Sequence, residues 1–352
     1  MIHNIQAVRF FAALSVAFLH AAIHYFNVDG FILAPLLAPF REFGIVGVDV
    51  FFVVSGFIMW HTTHGKDTHP LSALEFFVRR AGRIFINYWP WLIISLLVVH
   101  FWQGKDISEY NYWTSITLLS GSGTRAVPVS WTLTFELMFY LGFAVCLLLP
   151  RKLSLATVVV WGVVSLVVVS PSIWLSPFVA QFSLGVALCA FIGRFGAPPL
   201  TLSLGVAVLA LFCGTWFYTS GDHLVRALCF GPFGAGIIAA AIRLEEKGIV
   251  ASKALVFAGN ASYALYLCHI PVYIFFRTFW RSVIAYPDLM FGGMIVAAVI
   301  VSLLWFQYYE KGANEWLKGL ISELFSKLKM LAVRPAQRQS KPGLAPATKQ
   351  EH

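Results

Sequence analysis

Of the 352 residues, 59% are hydrophobic and only 12% are charged, with a mean hydropathy of +0.77. A soluble domain carries about a quarter charged residues, so this composition excludes one and defines a polytopic membrane protein. The net charge of +9 suits loops that face anionic lipid, and no nucleic-acid module, phosphate-cradling glycine motif or paired Cys/His zinc spacing accompanies it.

Strand alternation is absent, so helices are the only way to span. Ten spans are expected, at 6–26, 43–62, 84–103, 131–149, 154–170, 174–193, 200–218, 224–242, 256–280 and 289–310, which makes the fold an all-α bundle of about ten transmembrane helices. The first has no small-residue cleavage site after it and carries Arg9 within its apolar run, so it reads as a retained helix. Cys146, Cys189, Cys213, Cys229 and Cys268 all lie inside apolar windows; their odd number and burial argue for packing and against a disulfide framework. An even number of spans puts both termini on one side. With that side cytoplasmic, inner segments and tail hold 18 of the 25 Lys and Arg against six outside, or ten against six without the tail, as the positive-inside rule favours.

Ionisable residues inside a bilayer are costly and mark function by default. In "RFFAALSVAFLHAAIHYF", Arg9, His20 and His24 fall within about 60° on a helix, His20 roughly 16 Å beyond Arg9. Each histidine could equally be an interhelical packing residue. In "GVDVFFVVSGFIM" Asp49 enters the second span and Ser55-Gly56 interrupts it, a pair that also suits close helix packing. "FVRRAGRIF" puts Arg80 and Arg83 on one helical face, either as a donor fork for phosphates or as ordinary anchoring at the membrane surface. "SWTLTFELMFYL" places Glu136 about 8 Å into the fourth span with Tyr140 one turn deeper, and a lone carboxylate there needs a partner. His269 lies in the ninth span and Glu310 closes the tenth. By depth, His20, Asp49, Glu136 and His269 are expected in the middle to outer bilayer, and Arg9, Arg80, Arg83 and Glu310 at the inner end. Beyond the bundle (1–311), residues 312–333 repeat apolar positions with Lys on the other face and suit an amphipathic interfacial helix, and 334–352 is Pro-, Lys- and Gln-rich and expected to be a disordered cytoplasmic tail.

Taken in order, Arg-X10-His, "FFVVSGFIM", "RRAGRI", "SWTLTFELMFYL", "SYALYLCHIPV" and "YYEKG" resemble the membrane acyltransferase-3 family, which O-acylates cell-surface carbohydrates, and the opening is most similar to its exopolysaccharide-acetylating branch. The resemblance implies a multi-pass protein of the bacterial cytoplasmic membrane. It implies acyl-CoA, acetyl-CoA above all, as a donor substrate bound from the cytoplasm, no tightly bound cofactor and no metal. The implied acceptor is a hydroxyl of a polysaccharide or lipid-linked oligosaccharide, with membrane lipid and polysaccharide-assembly proteins as surroundings and no nucleic acid. Carried over, Arg9 and His20 match the Arg-X10-His pair, Arg80 and Arg83 the Arg-X-X-Arg pair, and Glu136 the acid after the Trp-Ser/Thr-Leu motif, here Trp131-Thr132. His20 would be the general base, with Glu136 orienting it or passing its proton. Arg9, Arg80 and Arg83 would hold donor phosphates, and His24, Asp49, Ser55, Tyr140, His269 and Glu310 would bind substrate or support the site. A proton-coupled glycan or lipid transporter would also place acids and histidines at mid-membrane, but should show two related halves, and none is visible. A scaffolding membrane protein leaves the depth sorting unexplained.

Overall fold

The computed structural model describes residues 2–25, 30–63, 65, 68–168, 170, 172–219, 221–280 and 286–339, without the side chains of 24, 25 and 332–339. The helices are α1 (His3–Tyr25), α2 (Ala34–Phe43), α3 (Val46–Thr62), α4 (Pro70–Gln103), α5 (Tyr112–Thr117), α6 (Trp131–Cys146), α7 (Arg151–Val167), α8 (Phe178–Phe195), α9 (Leu200–Phe217), α10 (His223–Glu246), α11 (Lys253–Asn260), α12 (Ser262–Trp280), α13 (Pro287–Trp305) and α14 (Lys311–Gln339). The fold is all-α and polytopic. Seven described helices are long and apolar enough to cross a membrane, nine if the bent pairs α2–α3 and α11–α12 each count as one. Helix α7, at 17 residues, sits at the lower limit of a span.

Two departures from the expected spans matter for the site. Helix α4 begins at Pro70, capped by His69, whose Nδ1 accepts from the Leu71 amide at 3.1 Å. It therefore starts 14 residues before the expected 84, and Arg80 and Arg83 lie well inside it. Pro90 interrupts its hydrogen-bond ladder by lacking an N–H, and the carbonyl so released, that of Ile86, accepts from the Tyr309 hydroxyl at 2.9 Å. At the other end of the chain, α13 does not stop at 310. It passes through one π-helical turn, Phe306–Glu310, into α14, and α14 crosses the boundary expected at 334 without a break.

Helix α14 is seated on α4. Arg79 donates to Ser322 Oγ at 2.8 Å, Lys329 Nζ meets Glu75 at 2.7 Å, and Asn87 Nδ2 donates to Asn314 Oδ1 at 3.0 Å. Of the apolar positions repeated along it, Ile321 and Phe325 are buried, whereas Trp316, Leu320 and Leu324 remain exposed.

Small residues set the closest helix crossing. A Cβ added to Gly56 of α3 would collide with the Phe182 carbonyl of α8, and one added to Gly185 of α8 with the Val53 carbonyl of α3. The close approach allowed by this reciprocal glycine pair is how apolar helices associate without a hydrophobic drive between them. Asp49 of α3 is fully buried in the same region and is bound by Arg226 Nε of α10 at 2.9 Å and Gln181 Nε2 of α8 at 2.7 Å. One carboxylate thus ties three helices together.

Candidate active site

Helices α1, α3, α4, α6 and α12 enclose a cavity of about 100 Å³ lined by Arg9, Ser55, Arg80, Arg83, Glu136 and Tyr140, with Thr132, Tyr263 and Tyr266 on its wall. Arg9 Nη1 donates to Gln6 Oε1 at 2.8 Å, one turn back on α1. Arg80 Nη2 donates to Thr62 Oγ1 at 2.9 Å, and its guanidinium lies over the rings of Phe76 and Tyr140. The Arg83 guanidinium makes no hydrogen bond or ion pair among the described residues. Glu136 Oε1 accepts from the Tyr140 hydroxyl and from Ser55 Oγ at 3.1 Å. Glu310, 1% exposed with Oε2 unpartnered among the described residues, acts electrostatically on Arg9 and Arg83. Three guanidinium groups are thus held at one cavity with unspent donors, a donor set whose chemistry suits phosphates or carboxylates.

That cavity opens toward a second, of about 410 Å³, whose lining again includes Arg80 and Arg83 and adds Thr62, Arg79, Asn314 and Lys318. Its far wall is α14, so the π-turn connection places a helix across the mouth of the arginine cavity.

The histidines lie elsewhere. His20 lines a third cavity, of about 300 Å³, together with Ser95 and Gln103 of α4, Lys105, Tyr110 and Arg277. Along α4, Ser95 is roughly 18 Å beyond Arg83 at ~1.5 Å per residue, and along α1 His20 is about 16 Å beyond Arg9. The arginine and histidine cavities are therefore at different depths on the same two helices. Tyr266 separates them: it lines the arginine cavity, its hydroxyl is bonded to Thr132 and Val129, and its ring sits beside His269.

Hydrogen bonding assigns the tautomers. His269 Nδ1 lies 3.1 Å from the Leu265 carbonyl, an acceptor, so Nδ1 carries the proton and Nε2 the lone pair. His269 Nε2 faces His20 Nδ1 at 3.2 Å, and His20 Nδ1 also lies 2.9 Å from the Val16 carbonyl. The Val16 carbonyl and His269 Nε2 are both acceptors, which favours the hydrogen on His20 Nδ1 and the lone pair on Nε2.

Of the sequence-predicted residues, Arg9, Arg80, Arg83, Ser55, Glu136 and Tyr140 come together in one cavity, and His20 pairs with His269. Glu136 belongs with the arginines instead of the histidines expected at its depth. Helix α4 begins at Pro70, so Arg80 and Arg83 lie within its helical part and line one cavity with Glu136 of α6. Asp49 joins neither group, because its charge is taken up by Arg226. The His24 side chain lies outside the described residues. Ser55 bonds to Glu136, and its neighbour Gly56 makes the close helix crossing. Sequence reasoning missed Arg226, which is 2% exposed; a search for the partner that buried Asp49 requires would have pointed to it. It also missed Tyr263 and Tyr266, aromatic positions indistinguishable in the sequence from ordinary packing. Among the described residues no group of His, Cys, Asp and Glu could hold a metal ion.

The multi-pass helical bundle thus holds three guanidinium groups at one depth and a hydrogen-bonded pair of imidazoles at another. The chain belongs to the acyltransferase family whose domain model matches residues 2–306, and it is a membrane O-acyltransferase. It is 29% identical over 279 residues to the exopolysaccharide production protein ExoZ of Rhizobium meliloti (strain 1021), covering 74% of this chain and 84% of that protein. It is 25% identical over 324 residues to the acyltransferase MdmB of Streptomyces mycarofaciens, covering 76% and 78%. Nodulation protein 10 of Rhizobium leguminosarum bv. viciae is 29% identical over 189 residues, covering 47% and 49%. No solved structure matches.

Proposed function

We propose that this protein moves an acyl group, acetyl by preference, from cytoplasmic acyl-CoA to a hydroxyl of an exported or surface glycan, with His20 as general base. The observation that carries the proposal is the placement of an arginine-lined cavity and a hydrogen-bonded imidazole at different depths on the same two helices. Coenzyme A brings phosphates that no neutral pocket could take from water. Arg83, Arg80 and Arg9 supply the charge, with Arg79 and Lys318 at the mouth. The pantetheine arm then extends past Tyr266 toward His20. The similarity to an exopolysaccharide production protein supports a glycan as the acceptor.

In the reaction, His20 Nε2 takes the proton of the acceptor hydroxyl as its oxygen attacks the thioester carbonyl carbon. The C–S bond breaks, and the imidazolium returns the proton to the departing thiolate, so the products are the ester and free coenzyme A. His269, whose Nε2 lone pair faces His20 Nδ1–H, holds the ring in the productive tautomer, as a buried acceptor does in other imidazole bases. Glu136 serves the donor side: its carboxylate orients Tyr140 and Ser55 and offsets part of the guanidinium charge before the donor arrives. The positive-inside bias supports the arginine end as the cytoplasmic one, in the inner membrane of a bacterium.

Replacing His20 by Ala should lower acyl transfer by about 10²- to 10⁴-fold, the usual loss of a general base, while the protein still accumulates in the membrane. Mass spectrometry of surface polysaccharide from cells carrying either form reads this directly, and near-normal acylation in the variant removes His20 from the mechanism.

A further inference from the structure

The histidine cavity carries more positive charge than general-base chemistry requires. Lys105 and Arg277 line it together with His20, and neither side chain makes an ion pair among the described residues. No Asp or Glu is among the described residues that line it. On the adjoining segment Asp106 accepts from the Ser108 amide at 2.8 Å, and Glu109 is exposed and is not among the lining residues. A second observation is independent of charge. Ser95, 4% exposed and on the cavity wall, has an Oγ with no hydrogen-bond partner. A buried hydroxyl left unpaired costs free energy unless something else completes it.

From these groups we infer that the histidine cavity binds an acceptor carrying negative charge close to the hydroxyl that is acylated: a glycan with a carboxylate, or one joined to a phosphate. This rests on the acyltransferase reading above and names the class of its acceptor. Arg277 and Lys105 hold the anion, and Ser95 and Gln103 hydrogen-bond the sugar. The charge also serves the chemistry. Two uncompensated cations would repel the imidazolium that His20 becomes during transfer, and an anion on the acceptor cancels that repulsion when the acceptor is in place. A neutral glycan lacks this compensation.

The test uses the full-length protein in detergent with acetyl-CoA and three acceptors: a disaccharide ending in glucuronate, the same disaccharide with the carboxylate reduced to glucose, and the reduced sugar linked to a polyprenyl diphosphate. At least one charged acceptor should exceed the neutral one in kcat/KM by tenfold or more, and which of them does so tells a carboxylate from a phosphate. Arg277→Gln and the exposed-loop variant Lys105→Gln should each bring that ratio down severalfold, toward one. Equal use of charged and neutral acceptors by the unaltered protein, or a ratio that both variants leave in place, overturns the inference. Binding of radiolabelled glucuronate disaccharide, followed by equilibrium dialysis without acetyl-CoA, separates the two readings. Salt-sensitive binding that both variants weaken, with no transfer to any acceptor, would overturn the acyltransferase acceptor reading and leave the anion site standing. Failure of the charged probes to bind better than the neutral one would overturn the anion site.

Discussion

His269 illustrates how much of the chemistry hangs on single atoms. Its Nε2 is the acceptor that, with the Val16 carbonyl, keeps the hydrogen of His20 on Nδ1. A glutamine places an amide oxygen close to the position of a histidine Nε2, so His269→Gln should keep most of the acyl-transfer rate. His269→Ala, which removes the acceptor, should lose about tenfold or more in kcat with little change in the acceptor KM, as expected for an effect felt mainly in the transition state. Equal loss in both variants would mean that the ring's bulk, and not its lone pair, is what matters. The donor cavity yields a test of opposite signs. Removing Arg83 deletes a charge-assisted contact of about 1.5–3 kcal/mol, so Arg83→Ala should raise the KM for acetyl-CoA by one to two orders of magnitude. Glu136→Gln removes the competing negative charge and should lower that KM. A collapse in kcat for Glu136→Gln instead would return this residue to the proton path. Arg9, Arg80, Arg83 and His20 were legible in the sequence because a charge or imidazole in a hydrocarbon run is conspicuous. The pairings were not: His269, itself expected at the depth of His20, lies 249 residues from it, and Arg226 lies 177 from Asp49, and a single sequence contains no measure of which distant helices touch.

At the scale of elements, the expected spans fall within a few residues of the helices in most cases, and two helices run on beyond them, α4 at its start and α13 through the π turn into α14. In both cases the helix continues past the apolar stretch into polar sequence. The polar turns of α4 find partners on α14 in the contacts of Arg79, Glu75 and Asn87, so packing between two helices extends what hydropathy alone would end. The tie among α3, α8 and α10 depends on a different balance. A buried ion pair stripped of one partner leaves an unpaired charge, at a cost of about 3–5 kcal/mol, whereas replacing both by apolar groups of similar size is often neutral. Asp49→Ala should therefore lower thermal stability in detergent markedly, and Asp49→Leu with Arg226→Met should recover much of it. If the double variant were as unstable as the single one, the pair would have a role beyond holding the three helices.

For the whole molecule, the assignment of sides determines which substrate reaches which cavity. With the arginine end cytoplasmic, a cysteine at Lys105 should react with a membrane-impermeant thiol reagent added to intact cells, and one at the exposed Lys152 should not, in a background without the five native cysteines. The reverse pattern would put the arginine cavity where acyl-CoA is absent and would end the donor assignment. The multi-pass architecture and the ordering of motifs were readable from composition and spacing. The separation of the arginine cavity from the histidine cavity was not, because Tyr266, Val129 and Thr132 lie between them, side chains and backbone that look like packing until the helices are assembled.

The π-helical turn Phe306–Glu310 has a mechanical consequence. It joins α13 to α14 without a loop, so the two behave as one jointed rod, and the joint carries Glu310, whose charge acts on Arg9 and Arg83. One arm of the rod is held in the bundle, and the other rests on α4 while exposing Trp316, Leu320 and Leu324. A π turn is a point where a helix is easily rewound, and such turns recur at functional sites. The exposed arm therefore meets the arginine residues in two ways, by its own side chains Asn314, Lys318 and Ser322 along α4 and by the carboxylate at the joint.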